Sequence, residues 1–246
     1  MSSCHTSTGG GGSAPNAATD KNINYQEFGS KAKGDRSYGM NPEEVYDTEN
    51  FFERYSNFAE LIGLTTSKDR DAFDEWSVGT FMEGQMYKQF SKLSKREQEW
   101  IKSFDKILDQ SELKQGIVVK RLSTPELIFG KGKTKVTLEE LQAAKGKIVT
   151  CKSCLSTGAA AEGLKIGSWQ PKQIEYSIKI PPGKGRGMWI GDRRINPTWG
   201  AEQREFMVNR DAAYKIGNTK YNSTRKVFEV EIEMIAVNTG SRHDYS

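Results

Sequence analysis

The sequence predicts an α+β fold, with N-terminal helices followed by a mostly antiparallel two-sheet core. Three observations predict it. Apolar residues recur at helical spacing up to about residue 110, strand-like alternation begins at Gly116, and the two kinds of segment do not interleave as in a doubly wound sheet. The length of 246 residues suits one substantial domain rather than two. A mean hydropathy of −0.69, with no apolar run near the roughly 18 residues a membrane span requires, predicts a chain with no membrane partner.

Residues 1–40 contain GGGGSAPNAATDKN and few large apolar groups, so they are expected to form a disordered tail. A single domain is expected over 41–240, with helices in 41–110 and the β core in 116–238. Asn41 can cap the first helix, with Pro42 at its first position and Glu44 three residues after the cap. Val45, Phe51, Phe52, Tyr55, Phe58, Leu61 and Ile62 then fall on one stripe. A less regular helical stretch carries Phe73, Trp76, Phe81, Met82, Met86 and Phe90. The clearest helix opens with Ser94 and Glu97 as a capping box and continues through Trp100, Ile101, Phe104, Ile107 and Leu108. All three stripes are expected to face the core.

In the second half, GIVVKRLS reads as a buried strand rich in β-branched residues, and Thr137 with Glu140 caps a short helix ending before Gly146. Further strands are expected at KIVTCKSCLST, QIEYSIKIP, REFMVN with AYKIG following, and KVFEVEIEMIAV.

The net charge of +4 is too small to indicate nucleic-acid binding. Its distribution is uneven: residues 41–100 carry 13 acids and 7 bases, whereas 151–246 carry 15 bases and 10 acids, so the C-terminal part suits an anionic ligand better. Cys4, Cys151 and Cys154, with only His5 and His243 beside them, make neither a disulfide framework nor a good metal site, so no metal is expected. The first residues show no basic start followed by an apolar stretch, and a cytoplasmic protein without a Sec-type signal is expected.

Four features of the second half could carry chemistry. Arg121 ends a strand on the same face as Ile117 and Val119, where a cation must meet solvent or an anion. Ser156 and Thr157 end another strand, where hydroxyls usually satisfy local backbone groups. The segment from Pro181 to Val208 is Gly-rich and Arg-rich, and is expected to be a long loop with Trp189 and Trp199 exposed. Glu202-Gln203-Arg204-Glu205 stands at the entrance to an apolar strand. Read singly, each has an ordinary structural explanation. A nucleic-acid module using the basic loop, with Trp189 stacking a base, is one alternative function, although nucleic acid is not the partner expected.

Together, in chain order, an Arg on a strand, Ser-Thr ending a strand, a loop with an aromatic residue, and Gln-x-Glu opening an apolar strand resemble the Arg…Ser-Thr-Ser…Gln/Glu-x-Glu signature of the mono-ADP-ribosyltransferases. The resemblance covers about residues 42–238 and is strongest at KGKIVTCKSCLSTG, QIEYSIKIPPGKGRGMWIG and EQREFMVNRDAAYKI. Two positions depart from the pattern: Gly158 replaces the third hydroxyl, and Asp211 stands where Gly is common after Arg210.

The resemblance implies the fold named above and a glycosyltransferase moving ADP-ribose from NAD to a host protein, in a bacterial toxin or phage effector that is expected to be a monomer. It implies Glu205, Gln203 and Ser156 as catalytic residues, and Arg121, Ser156, Thr157 and Trp189 as binding NAD. Trp199 and Gln203 would recognise the acceptor, with Gln203 leaning away from arginine as the target. Lys184, Arg186, Arg193 and Arg194 could attract an acidic target surface. NAD hydrolysis is implied as a side activity, and a non-enzymatic phage head protein with an idle site is the alternative within the same fold.

Overall fold

The computed structural model describes residues 22–29, 42–78, 85–161, 164–165, 173–198 and 204–237. Asn41, Trp199, Glu202 and Gln203 therefore lie outside the described residues. The helices come first. Helix α1 (Pro42–Tyr55) and α2 (Phe58–Leu64) divide what the stripe suggested was one helix. The break falls at Ser56-Asn57 because Asn57 bonds elsewhere: its Nδ2 donates to the Gln110 carbonyl (2.9 Å) and its Oδ1 accepts from the Glu112 N–H (2.7 Å). Helix α3 spans Ser67–Val78, and α4 spans Lys95–Leu108 with the expected Ser94/Glu97 capping box and a buried apolar face. The short α5 (Glu126–Phe129) and α6 (Leu138–Ala143) follow, the latter capped by Thr137 and Glu140 as expected. No helix among the described residues is long and apolar enough to cross a membrane.

Twelve strands are described: β1 (Tyr25–Glu27), β2 (Glu112–Leu113), β3 (Gly116–Ser123), β4 (Ile148–Cys151), β5 (Leu155–Gly158), β6 (Leu164–Lys165), β7 (Ile174–Ile180), β8 (Gly183–Lys184), β9 (Gly187–Trp189), β10 (Glu205–Val208), β11 (Ala212–Asn222) and β12 (Val227–Val237). Ten form one mostly antiparallel network with the main path β4-β11-β12-β7-β3-β5-β10-β9, while β2 and β8 form a separate ribbon. The main path has a narrow joint. Strand β3 pairs with β7 over seven residues but meets β5 at a single register pair, Lys120↔Gly158. The sheet therefore consists of two halves joined at this narrow seam.

The structure corrects three further expectations. First, the 1–40 tail is not wholly without order, because β1 pairs in parallel with β3 and Phe28 packs on Phe51 and Phe52. The approach is possible because β3 begins with glycine: a Cβ on Gly116 would meet Ile23 and Tyr25 side-chain atoms at 2.8–3.0 Å. Second, KIVTCKSCLST is two strands rather than one. Strand β4 pairs with β11 and β5 with β10, so Cys151–Cys154 is where the chain crosses between the halves. Both cysteines are buried thiols, and Cys151 Sγ lies 3.2 Å from the Tyr87 hydroxyl.

Third, the expected long loop after Pro181 holds β8 and β9, and Trp189 is buried in the core with 1% of its surface exposed. Its ring stacks on Phe52 of α1 (centroids 5.1 Å apart, planes at 12°), and Gly191 folds over it so closely that a Cβ there would lie 2.3 Å from the indole. The turn at Arg210-Asp211 explains the usual glycine at the second position, since Asp211 has φ 54°. Arg210 is fixed there by two 2.6 Å bonds to buried Asp105 of α4, and these contacts hold its pKa above the ordinary arginine value despite burial.

Candidate active site

The seam between the halves brings three of the candidate residues together. Arg121, near the end of β3, is 97% buried and donates from Nη1 to the Ser156 carbonyl (2.9 Å). This bond joins β3 to β5 just past Lys120↔Gly158. Ser156 donates its hydroxyl hydrogen to Oε1 of Glu205. Glu205 opens β10 in register with Gly158, and Ser156 lies opposite Met207, so the Ser156–Glu205 contact is a diagonal one on a single face of the β5–β10 pair.

Glu205 is more enclosed than a strand-end carboxylate usually is, with 1% of its surface exposed. Trp76 Nε1 donates to its Oε1 (2.9 Å) and Ser77 Oγ lies 3.5 Å from its Oε2, both from the last turn of α3. Donors from a strand and from a helix thus converge on one buried carboxylate and give its oxygens hydrogen-bond partners in place of water. The helix period placed Trp76 in the core, and it is buried. No pattern in the sequence reveals that its indole N–H reaches a group 129 residues away.

Arg204 is a second residue the sequence reading left without a role. It has φ 42°, a conformation uncommon for a residue with a side chain, and its carbonyl accepts from the Ala159 N–H (2.9 Å). Its buried guanidinium reaches Thr48 Oγ1 (2.8 Å), the Gly29 carbonyl (3.3 Å) and Glu44 (3.4 Å), and burial lowers its pKa. The turn into Glu205 is thereby tied to α1 and to the segment after β1.

No protein-family model matches the chain, and no curated protein matches it in sequence. Solved structures do. Plx2a, an ADP-ribosyltransferase toxin from Paenibacillus larvae, superposes with a TM-score of 0.63 at 16% identity, over 78% of this chain and 97% of that one. The Clostridium limosum C3 exoenzyme gives 0.60 at 15% identity, over 86% and 97% of the two chains. C3stau2 from S. aureus, solved with NAD, gives 0.56 at 15% identity, over 83% and 99%. The chain has the ADP-ribosyltransferase fold.

Within this ADP-ribosyltransferase fold the remaining candidates separate. Thr157 points to the opposite face from Ser156, where it is buried and donates to the Phe206 carbonyl (2.6 Å) within the β5–β10 pair. Trp189, expected to contact NAD from a loop, is instead packed under α1. Of the four basic residues near that segment, Arg194 is held by Asp192 and Glu53 (both 2.7 Å) and Arg186 is partly buried, with burial lowering its pKa. Lys184 and Arg193 are exposed. The expected acceptor residues Trp199 and Gln203 lie outside the described residues.

Proposed function

We propose that the protein is a mono-ADP-ribosyltransferase that cleaves NAD between nicotinamide and ribose and passes ADP-ribose to a protein acceptor. One observation carries this reading: Arg121, Ser156 and Glu205, read from the sequence as parts of one signature, are joined by two hydrogen bonds, from Arg121 to the Ser156 carbonyl and from the Ser156 hydroxyl to Glu205. The fold alone would be compatible with other functions. The presence of NAD in the solved C3stau2 structure supports the choice of substrate.

In this reading the Arg121 guanidinium binds the pyrophosphate, a role suited to its planar set of donors. Ser156 fixes the side chain of Glu205. As the bond from ribose C1′ to the nicotinamide nitrogen breaks, the bonding pair leaves with nicotinamide and positive charge develops on the ribose, facing the Glu205 carboxylate. At about 4 Å and an effective dielectric near 20 that attraction is worth roughly 4 kcal/mol, or about a thousandfold in rate if it arises only in the transition state. The acceptor nucleophile then bonds to C1′ and loses its proton. Gln203 would orient that acceptor. Since Glu205 is almost wholly covered, the groups over it must move aside for the ribose to enter.

The test is incubation of the purified protein with NAD labelled in the adenylate portion and a lysate of candidate host cells. Labelled protein together with released nicotinamide supports the transferase. Nicotinamide release without labelling leaves a glycohydrolase, and the absence of both products overturns the reading.

A further inference from the structure

The last turn of α3 does more than cover Glu205. Trp76 reaches Oε1 with an indole N–H, a group that donates but cannot accept, so it can orient a carboxylate without exchanging protons with it. The ring is itself held, packing edge-on against Phe104 of α4 (5.6 Å, 74°), which in turn contacts Phe73 one turn earlier on α3. Ser77 lies beside this hold. Its hydroxyl accepts from Nδ2 of the fully buried Asn196 (2.5 Å), and its one hydrogen faces both the Phe73 carbonyl (3.3 Å) and Glu205 Oε2 (3.5 Å).

Three residues before Ser77, Asp74 accepts from both the N–H and the hydroxyl of Thr198 (2.9 and 2.7 Å). One face of α3 thus clasps the 192–198 turn at two points and the carboxylate at its end. That turn leads in the chain to Trp199 and Gln203.

We propose that Trp76 is a positioning residue for Glu205. Together with Ser156 it fixes the carboxylate from two sides, from α3 and from β5, and the Ser77–Asn196 bond links this hold to the turn ahead of the acceptor segment. The inference rests on the transferase reading for its kinetic consequence but not for its geometry.

The experiment has two arms. Trp76→Phe keeps an aromatic ring against Phe104 and removes the N–H. The expected result is a kcat for nicotinamide release about tenfold or more below wild type, the rate equivalent of one charge-assisted hydrogen bond. KM for NAD should stay within about threefold and Tm should be nearly unchanged. In the second arm, the five tryptophan indole N–H resonances are recorded by 15N-edited NMR and the Trp76 signal is identified by its loss in Trp76→Phe. Glu205→Gln replaces a charged acceptor by a neutral one, so the Trp76 proton should move upfield further than the other four.

A wild-type kcat in a folded Trp76→Phe, or a Trp76 resonance that does not respond to Glu205→Gln, overturns the proposal. Should Trp76→Phe fail to fold, Ser77→Ala and Asn196→Ala carry the kinetic arm, and wild-type kcat in both counts against it. Absence of nicotinamide release from the wild type contradicts the transferase reading instead, and the resonance arm then decides the hold on Glu205 by itself.

Discussion

Gly158 lies directly across the β5–β10 pair from Glu205, so no β5 side chain stands opposite the carboxylate where it leans diagonally to Ser156. The glycine that replaces the third hydroxyl of the family pattern thus sits at a position where bulk would matter. Gly158→Val suits a strand by propensity but places two methyl groups across from Glu205. We expect nicotinamide release to fall at least tenfold in this variant while circular dichroism keeps the native sheet signal. Steady-state cleavage assays on the folded variant check it.

Arg121→Lys keeps the charge and loses the planar set of donors. NAD affinity is expected to fall about tenfold or more, in line with the roughly 1.5–3 kcal/mol of a hydrogen bond to a charged group. Because Arg121 also holds the Ser156 carbonyl, calorimetric titration with NAD should be paired with a melting curve. Unchanged affinity would remove Arg121 from the binding site.

The buried stack of Trp189 on Phe52 makes this tryptophan a core residue. Trp189→Ala is expected to cost about 3–5 kcal/mol of stability, the usual range for removing a buried aromatic side chain. Urea unfolding measures it. A variant of wild-type stability with weakened NAD binding would restore the cofactor-contact role that the sequence suggested.

Much of this architecture was legible because its signals are local. The capping boxes at Ser94/Glu97 and Thr137/Glu140 involve residues three apart, and the strands at 116–123 and 174–180 follow from their own apolar character. What was not legible depended on distant partners. The division at Cys151–Cys154 exists because β11 claims one half of the run and β10 the other. Strand β1 is three residues long and gains its place from β3, not from any periodicity of its own. Trp189 was misplaced because a Gly-rich and Arg-rich composition reads as loop, whereas one of its glycines, Gly191, admits tight packing over the indole. In the site, the Arg, Ser and Glu were legible as an ordered signature, but Trp76 looked like any residue of a core stripe and Arg204 like a solvated charge.

Tyr25 supplies a pH-dependent contact between β1 and the sheet. Burial first, and then the charge of Glu233 and the hydrogen bond to it (3.2 Å), push the phenol from 10.0 up to about 12. A pKa raised by folding favours the neutral form, so this stabilisation is complete below about pH 10 and is lost as the pH rises through about 12. Tyr25→Phe should therefore lower Tm at neutral pH and show a shallower decline of Tm than wild type between pH 10 and 12. Parallel curves for the two proteins across that window would contradict the assignment.

The most direct test of the account is nicotinamide release by wild type and Glu205→Gln, with a melting curve on each. The amide can keep the network: its oxygen accepts from Trp76 and Ser156, and its nitrogen can donate to Ser77, so Tm should change little. Only the charge facing the developing ribose cation is lost. We expect the wild type to cleave NAD and the variant to be slower by two to three orders of magnitude, near the roughly thousandfold effect of the Coulomb attraction. A folded Glu205→Gln that releases nicotinamide within a few-fold of the wild-type rate would contradict the account.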